Sequence, residues 1–180
     1  MHRDSQKRIY LENAVYFITT VTKERYPYFH EKIVCDLLAE DIRMASELKQ
    51  CDVIAYKINP DHVYLIIRPL GKPNYSEFMH NMKRVSSLHI NYSMGMFDFP
   101  EGADIYLRLR ENRLTWQSRY NTRIDIPKFA WQKSYRDHLV RDDDDLIRHV
   151  EYIRNQWIKH DLQENAYCFV SEAAMQSVLE

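Results

Sequence analysis

Two short runs in this chain carry side chains that could do chemistry. Asn59-Pro60-Asp61 is turn chemistry and Pro69 closes the run that follows, so residues 62–68 read as a short strand. Side chains alternate across a strand, which puts Val63, Leu65 and Ile67 on one face and His62, Tyr64, Ile66 and Arg68 on the other. The first is a core face, and the second sets an imidazole, a phenol and a guanidinium in one row. An imidazole at the start of a strand suits a divalent metal ion; a buried structural histidine would give the same pattern. The second run is His149, Tyr152 and Gln156, spaced three and four apart beside the apolar stripe Leu146, Val150, Ile153 and Trp157. A tyrosine at the edge of such a stripe can lie across a sheet with its hydroxyl at a polar site, or pack as any aromatic does.

The elements that must position these runs can be read in order. Residues 14–21 are β-branched and aromatic throughout, a first strand. Residues 33–48 have apolar positions at helical spacing. Cys51 to Ile58 forms a second strand, joined to the His62 strand as a hairpin. Pro73-Asn74 opens a second helix with Tyr75, Phe78, Met79, Met82, Val85 and His89 as its buried stripe. Alternating Ile105, Leu107 and Leu109 suggest a strand, and residues 130–141 suggest another. Asp142 to Asp145 precede the Tyr152 helix, where carboxylates favour the helix dipole and cap its first turn. Strand, helix, strand, strand, helix, strand favours an α+β fold, a ferredoxin-like antiparallel sheet with helices packed on one face. A C-terminal helix carrying Tyr152 follows. Residues 1–160 are expected to form one domain with an insertion near 101–130, and residues 161–180 a tail.

Composition narrows the classes. A chain of 180 residues, 45% hydrophobic and 28% charged, can bury a single core. No stretch approaches the roughly 20 apolar residues of a membrane span, and the polar start has no signal-peptide core, which leads to the expectation of a cytoplasmic protein with no membrane partner. Cys35, Cys51 and Cys168 make neither a zinc pattern nor a disulfide framework and are expected to be reduced thiols. The net charge of −1 conceals a division: residues 107–136 carry eight Lys or Arg against Glu111 and Asp125, whereas residues 137–180 carry four against ten acids. That division suits a basic binding face, or two halves that attract each other. Aromatic and basic residues interleave from Trp131 to Arg141, as in surfaces that stack bases and pair with phosphates, although a Trp and Tyr in the core would read the same way.

The segment NPDHVYLII resembles the MPNHVHLL segment of the single-tyrosine HUH transposases, including the REP-associated tyrosine transposases. Three other segments resemble the same family in the same order: YFITTVTKERYPYF its opening, FMHNMKRVSSLHIN its second helix, and HVEYIRNQW its catalytic helix. The WQ…Y…H…R pattern of residues 131–141 is also similar, and the likeness covers roughly residues 9–160. The resemblance implies a transposase that binds single-stranded or hairpin DNA, as monomer or homodimer, and cuts it through a 5′-phosphotyrosine, leaving a free 3′-hydroxyl. It implies Tyr152 as nucleophile and His62, Gln156 and Tyr64 as the holders of Mg²⁺ or Mn²⁺. Arg68, Lys83, Arg84, Lys133, Arg136 and His138 are then the expected DNA contacts. Tyr64 stands where the family has its second histidine. Three arrangements stay open: Tyr64 binds the ion directly or through water, His149 replaces the missing ligand, or the chain holds DNA without cutting it. A sheet that binds RNA is a further reading.

Overall fold

The computed structural model describes residues 9–71, 74–98, 107–120, 126–163 and 166–179. The strands are β1 (Tyr16–Val21), β2 (Cys51–Asn59), β3 (His62–Pro69), β4 (Arg136–Leu139) and β5 (Cys168–Val170). They form one sheet in the order β4-β1-β3-β2-β5, and every pairing is antiparallel. Strands β1 to β4 alone run 4-1-3-2, the ferredoxin-like order the sequence leads one to expect, and β5 adds an edge beside β2. Two hairpin strands and a returning first strand put β3 in the middle, with β1 on one side and β2 on the other.

Because β3 is central, both of its faces are buried. Val63, Leu65 and Ile67 enter the larger core with α1 (Lys32–Leu48) and α2 (Tyr75–Ser93). Tyr64 and Ile66 enter a smaller core with Leu146, Val150 and Ile153 of α4 (Asp143–Arg154), against which α6 (Glu172–Leu179) also packs. Thus α1 and α2 form the expected helical layer, while α4 and α6 cover the opposite face. Helix α2 is capped by Asn74, whose side chain accepts from the backbone N–H of Ser76 and Glu77 at 3.0 and 3.2 Å. Its buried stripe runs through Tyr75, Phe78, Met79 and Met82 to Ser86 and Ile90; Val85 and His89 are only half-buried. His89 instead reaches the buried carboxylate of Asp41 on α1 at 2.7 Å and ties the two helices together. The helix ends at Ser93, and Gly95 turns the chain with φ +77°, a conformation that glycine adopts without steric cost.

The strand expected from Ile105, Leu107 and Leu109 does not form. Ile105 lies outside the described residues, and Leu107–Arg119 is a helix, α3. Leu109 and Trp116 are buried seven residues apart, two helical turns, whereas Leu107 is 58% exposed, so the period that matters is helical. Its arginines are spent on structure: Arg108 pairs with Glu40, and Arg119 with Glu31 at 3.2 Å. The strand expected from residue 130 begins only at Arg136, because Trp131 turns inward, making one isolated bridge to Thr22 and donating its indole N–H to Ser86 at 3.0 Å. The four aspartates cap as expected, with Asp142 accepting from the Asp145 N–H at 2.8 Å. Cys35, Cys51 and Cys168 are free, and burial pushes the Cys35 and Cys51 thiols up to about 12. Among the described residues no helix is long and apolar enough to cross a membrane.

Candidate active site

Strand β3 and helix α4 bring their polar side chains to one place. His62 opens β3 opposite Val21 of β1 and Asn59 of β2, and Tyr64 follows two residues on, on the same face. Helix α4 lies across that face, held by the apolar contacts of Leu146, Val150 and Ile153, and this lays Tyr152 over Tyr64. The two phenol oxygens are 3.0 Å apart, and the rings meet edge to face with centres 5.2 Å apart. Phe17 of β1 forms the floor beside them, stacked on Tyr64 on one side and on His149 on the other. Tyr152 is 38% exposed while Tyr64 is 9% and His62 4%, so Tyr152 is the most open to solvent of the three. Burial and the bond to Tyr152 hold the Tyr64 phenol well above the ordinary tyrosine range, so Tyr64 keeps its proton, and either hydroxyl can donate to the other.

His62 is oriented by its neighbours. Its Nδ1 lies 2.5 Å from a carboxylate oxygen of Asp61, whose other oxygen accepts from Arg25 Nε at 2.8 Å. A carboxylate only accepts, so Nδ1 carries the proton and Nε2 presents its lone pair. Burial also lowers the His62 pKa, which favours the neutral ring a metal ion requires. Nε2 meets the amide nitrogen of Asn59 at 3.2 Å. Arg25 is delivered by a 3₁₀ turn over Lys23–Arg25 in which Glu24 and Arg25 adopt φ of 57° and 55°.

Helix α4 stops at Asn155, and the short helix α5 (Gln156–His160) begins at once. Gln156 donates its amide N–H to the Tyr152 carbonyl at 3.1 Å and is 2% exposed. Its carbonyl Oε1 is buried with no hydrogen-bond partner among the described residues, and so is His160 Nε2. His62 and His160 face each other with ring centres 5.1 Å apart. Together with Phe17, Tyr64, Tyr152 and Arg136, these histidines line a cleft of ≈ 760 Å³. His160 thus brings a buried, unpaired nitrogen to the cleft, while Gln156 Oε1 lies buried outside its lining.

The six expected DNA contacts separate. Lys83, Arg84 and Lys133 line a second groove of ≈ 820 Å³ between α2 and residues 128–135. Lys83 there donates to the carbonyl of Gln132 at 2.6 Å. Arg136 lines the tyrosine cleft, and Tyr135 borders both hollows. Arg68 sits apart, its guanidinium bonded to Asp52 at 2.7 Å and to Ser177 of α6. His138 is 3.0 Å from Asp145, and with His149 these form a second cluster whose ligating atoms lie within 4.8 Å of one another. Sequence reasoning missed three participants. His160 continues the four-residue spacing of Tyr152 and Gln156 and could have been found by extending it. Asp61 appeared only as a turn residue, and Arg25 gave no local signal.

The ferredoxin-like antiparallel sheet thus carries a helix-borne tyrosine, Tyr152, in one cleft with a strand-borne histidine, His62. The family model of the IS200-like transposases matches residues 10–156, and the chain belongs to that family. A Haemophilus influenzae protein that carries the name REP-associated tyrosine transposase is 22% identical over 155 residues, which is 86% of this chain and 76% of that protein. The solved structure of a REP-associated tyrosine transposase bound to a REP hairpin superimposes with a TM-score of 0.61 at 16% identity, over 88% of this chain and 74% of that one.

Proposed function

We propose that the chain binds single-stranded or hairpin DNA and cuts and rejoins it through a covalent 5′-phosphotyrosine on Tyr152. A Mg²⁺ or Mn²⁺ ion would be held at His62 and Gln156. The observation that carries this reading is that the exposed Tyr152 and the buried, carboxylate-oriented His62 line the same cleft. The donor set fits a hard divalent cation: one neutral imidazole and one unpartnered amide oxygen, with the rest of the coordination left to water and phosphate oxygens. Such an ion supplies charge stabilisation on the phosphate under attack.

The chain's own residues do the rest. Tyr152 Oη forms the bond to phosphorus as the bond from phosphorus to the 3′-oxygen breaks. The phenolic proton passes to solvent, and the departing 3′-oxygen takes one up to leave as a hydroxyl. One phosphodiester replaces another, so the reverse step rejoins the strand. A phenol is a weak nucleophile because its ordinary pKa is about 10. Tyr64 counters this by donating a hydrogen bond to the oxygen that must carry developing negative charge. Asp61, fixed by Arg25, keeps the His62 proton on Nδ1 and so leaves Nε2 as the nitrogen that can bind an ion. Arg136 in the cleft, and Lys83, Arg84 and Lys133 in the adjoining groove, would neutralise the DNA backbone.

Incubation with a labelled single-stranded hairpin DNA and Mn²⁺ tests the reading. The expected result is a protein–DNA adduct that disappears in Tyr152→Phe. Absence of an adduct with the unaltered protein, or an adduct that persists in Tyr152→Phe, overturns it. One observation favours a second reading, in which the chain holds the hairpin without cutting: a phenol, not an imidazole, occupies position 64 and is engaged with Tyr152. Hairpin binding with no adduct would select it.

A further inference from the structure

The strand offers a single imidazole, yet a second one reaches the same point from elsewhere. We propose that His160, on the short helix after the nucleophile helix, replaces the imidazole missing at position 64 and completes with His62 and Gln156 a three-donor site for a divalent cation. The inference rests on the reading of the Tyr152 cleft as an active site and goes beyond the family's histidine pair, which lies wholly on the strand.

Four observations converge on His160. Its Nε2 is buried and unpartnered among the described residues, as is Gln156 Oε1, and these two atoms belong to residues four apart, on one face of α5. The backbone break at Asn155 makes this work, since it starts a new helix at Gln156 and redirects the chain towards the start of β3. The His62–His160 separation has the right size. Metal–nitrogen bonds of about 2.0–2.1 Å, extended by the distance from nitrogen to ring centre, set two imidazoles on one ion roughly 4.5–5.5 Å apart centre to centre. The rings here are 5.1 Å apart, inclined at 61°. His62 Nδ1 is committed to Asp61, so the nitrogen it can offer is Nε2, which an ion would take over from the Asn59 amide N–H at 3.2 Å.

The two competitors are engaged elsewhere. The Tyr64 hydroxyl is bonded to Tyr152. His149 Nε2 also has no hydrogen-bond partner among the described residues, but its ring is stacked on Phe17 with centres 4.3 Å apart and that nitrogen lies 3.6 Å from Asp145, so it belongs with the His138–Asp145 cluster. The nucleophile helix and the cation site are therefore parts of one continuous stretch, Tyr152–Gln156–His160. The order of the sheet supplies only His62.

The decisive measurement is Mn²⁺ binding by the full chain without DNA, followed by the electron paramagnetic resonance signal of the free ion, with circular dichroism and thermal melting confirming the fold of each variant. Loss of a ligand or its support is expected to weaken binding at least about tenfold in both His160→Ala and His62→Ala, and to leave His149→Ala within about twofold of the unaltered protein. Adding Tyr64→His to His160→Ala should restore binding by returning the second imidazole to the strand. If His160→Ala and the bulk-preserving His160→Gln titrate like the unaltered protein while His62→Ala does not, the assignment of His160 is overturned and the His62–Gln156 reading survives. If the unaltered protein binds no Mn²⁺, the assignment and the metal part of the functional reading fall together, while the Tyr152 adduct assay still judges the nucleophile separately.

Discussion

At the scale of single residues, the proposed chemistry turns on where protons sit. Tyr64 is buried against β1 and keeps its proton, so it is able to donate across the 3.0 Å contact once Tyr152 has given up its own. A bond of this kind contributes about 1 kcal/mol, so Tyr64→Phe is expected to slow adduct formation roughly fivefold with hairpin affinity unchanged, measured by single-turnover cleavage and gel shift. Asp61→Asn removes the carboxylate that fixes the His62 tautomer, and Mn²⁺ affinity should drop about 10–100-fold, read by calorimetry. Asp145 gives the pH prediction. The hydrogen bond from His138, with further donors from Arg141 and Arg148, holds its carboxyl at about 2, below the ordinary carboxylate range. A carboxyl whose folded pKa is depressed contributes stability that is present above its unfolded value, about 3.9, and lost as pH falls through the folded value. Asp145→Asn should therefore lower the thermal midpoint at neutral pH, and the difference from the unaltered protein should shrink below about pH 4 and vanish near pH 2.

At the scale of elements, each helix is held to the sheet by a few identifiable contacts, and its functional residues ride on those. Helix α2 presents Lys83 and Arg84 because its other side is fixed by Tyr75, Phe78, Met79 and Met82, and its first turn by the Asn74 cap. Asn74→Ala leaves two backbone N–H groups without their acceptor and should cost about 1 kcal/mol, a drop of about 2–4 °C in the thermal midpoint, with no effect on the order of the sheet. The sequence made this helix, α1 and the first three strands readable, because their apolar periods are long and agree with their burial. Leu107 to Arg119 misled because three alternating positions outweighed the longer helical interval from Leu109 to Trp116. Trp131 misled because an aromatic beside basic residues looks the same in sequence whether it stacks a base or, as here, fills the core between α2 and β1.

At the scale of the whole molecule, the division of charge acquires a direction. Part of the basic segment is tied up at α1, Arg108 with Glu40 and Arg119 with Glu31 at its N-cap, and neither arginine lines the positive groove. What faces it is Lys83, Arg84, Lys128 and Lys133, with Tyr135 standing between this groove and the tyrosine cleft. A strand crossing from one hollow to the other would pass Tyr135 and Arg136. Each phosphate contact removed should reduce the salt dependence of hairpin binding by about 0.7–0.9 in log–log slope, so Arg84→Ala and Lys133→Ala should each flatten that slope. Arg68→Ala should leave the slope unchanged and loosen α6, because Arg68 is bonded to Asp52 and Ser177.

The sequence by itself determined the first three strands, the two helices among them and the ferredoxin-like sheet, because these follow from local periods, while His62 and Tyr152 were marked out by the likeness of their segments to the family's motifs. Only the tertiary structure decided which side chains share a cleft. The pairing of Tyr64 with Tyr152 spans 88 residues, and the approach of His160 to His62 depends on where a helix breaks and which sheet face it crosses. Those distances are set by the packing of Leu146, Val150 and Ile153 on the sheet. No spacing within the chain encodes that packing, because it is a property of surfaces that meet only after folding.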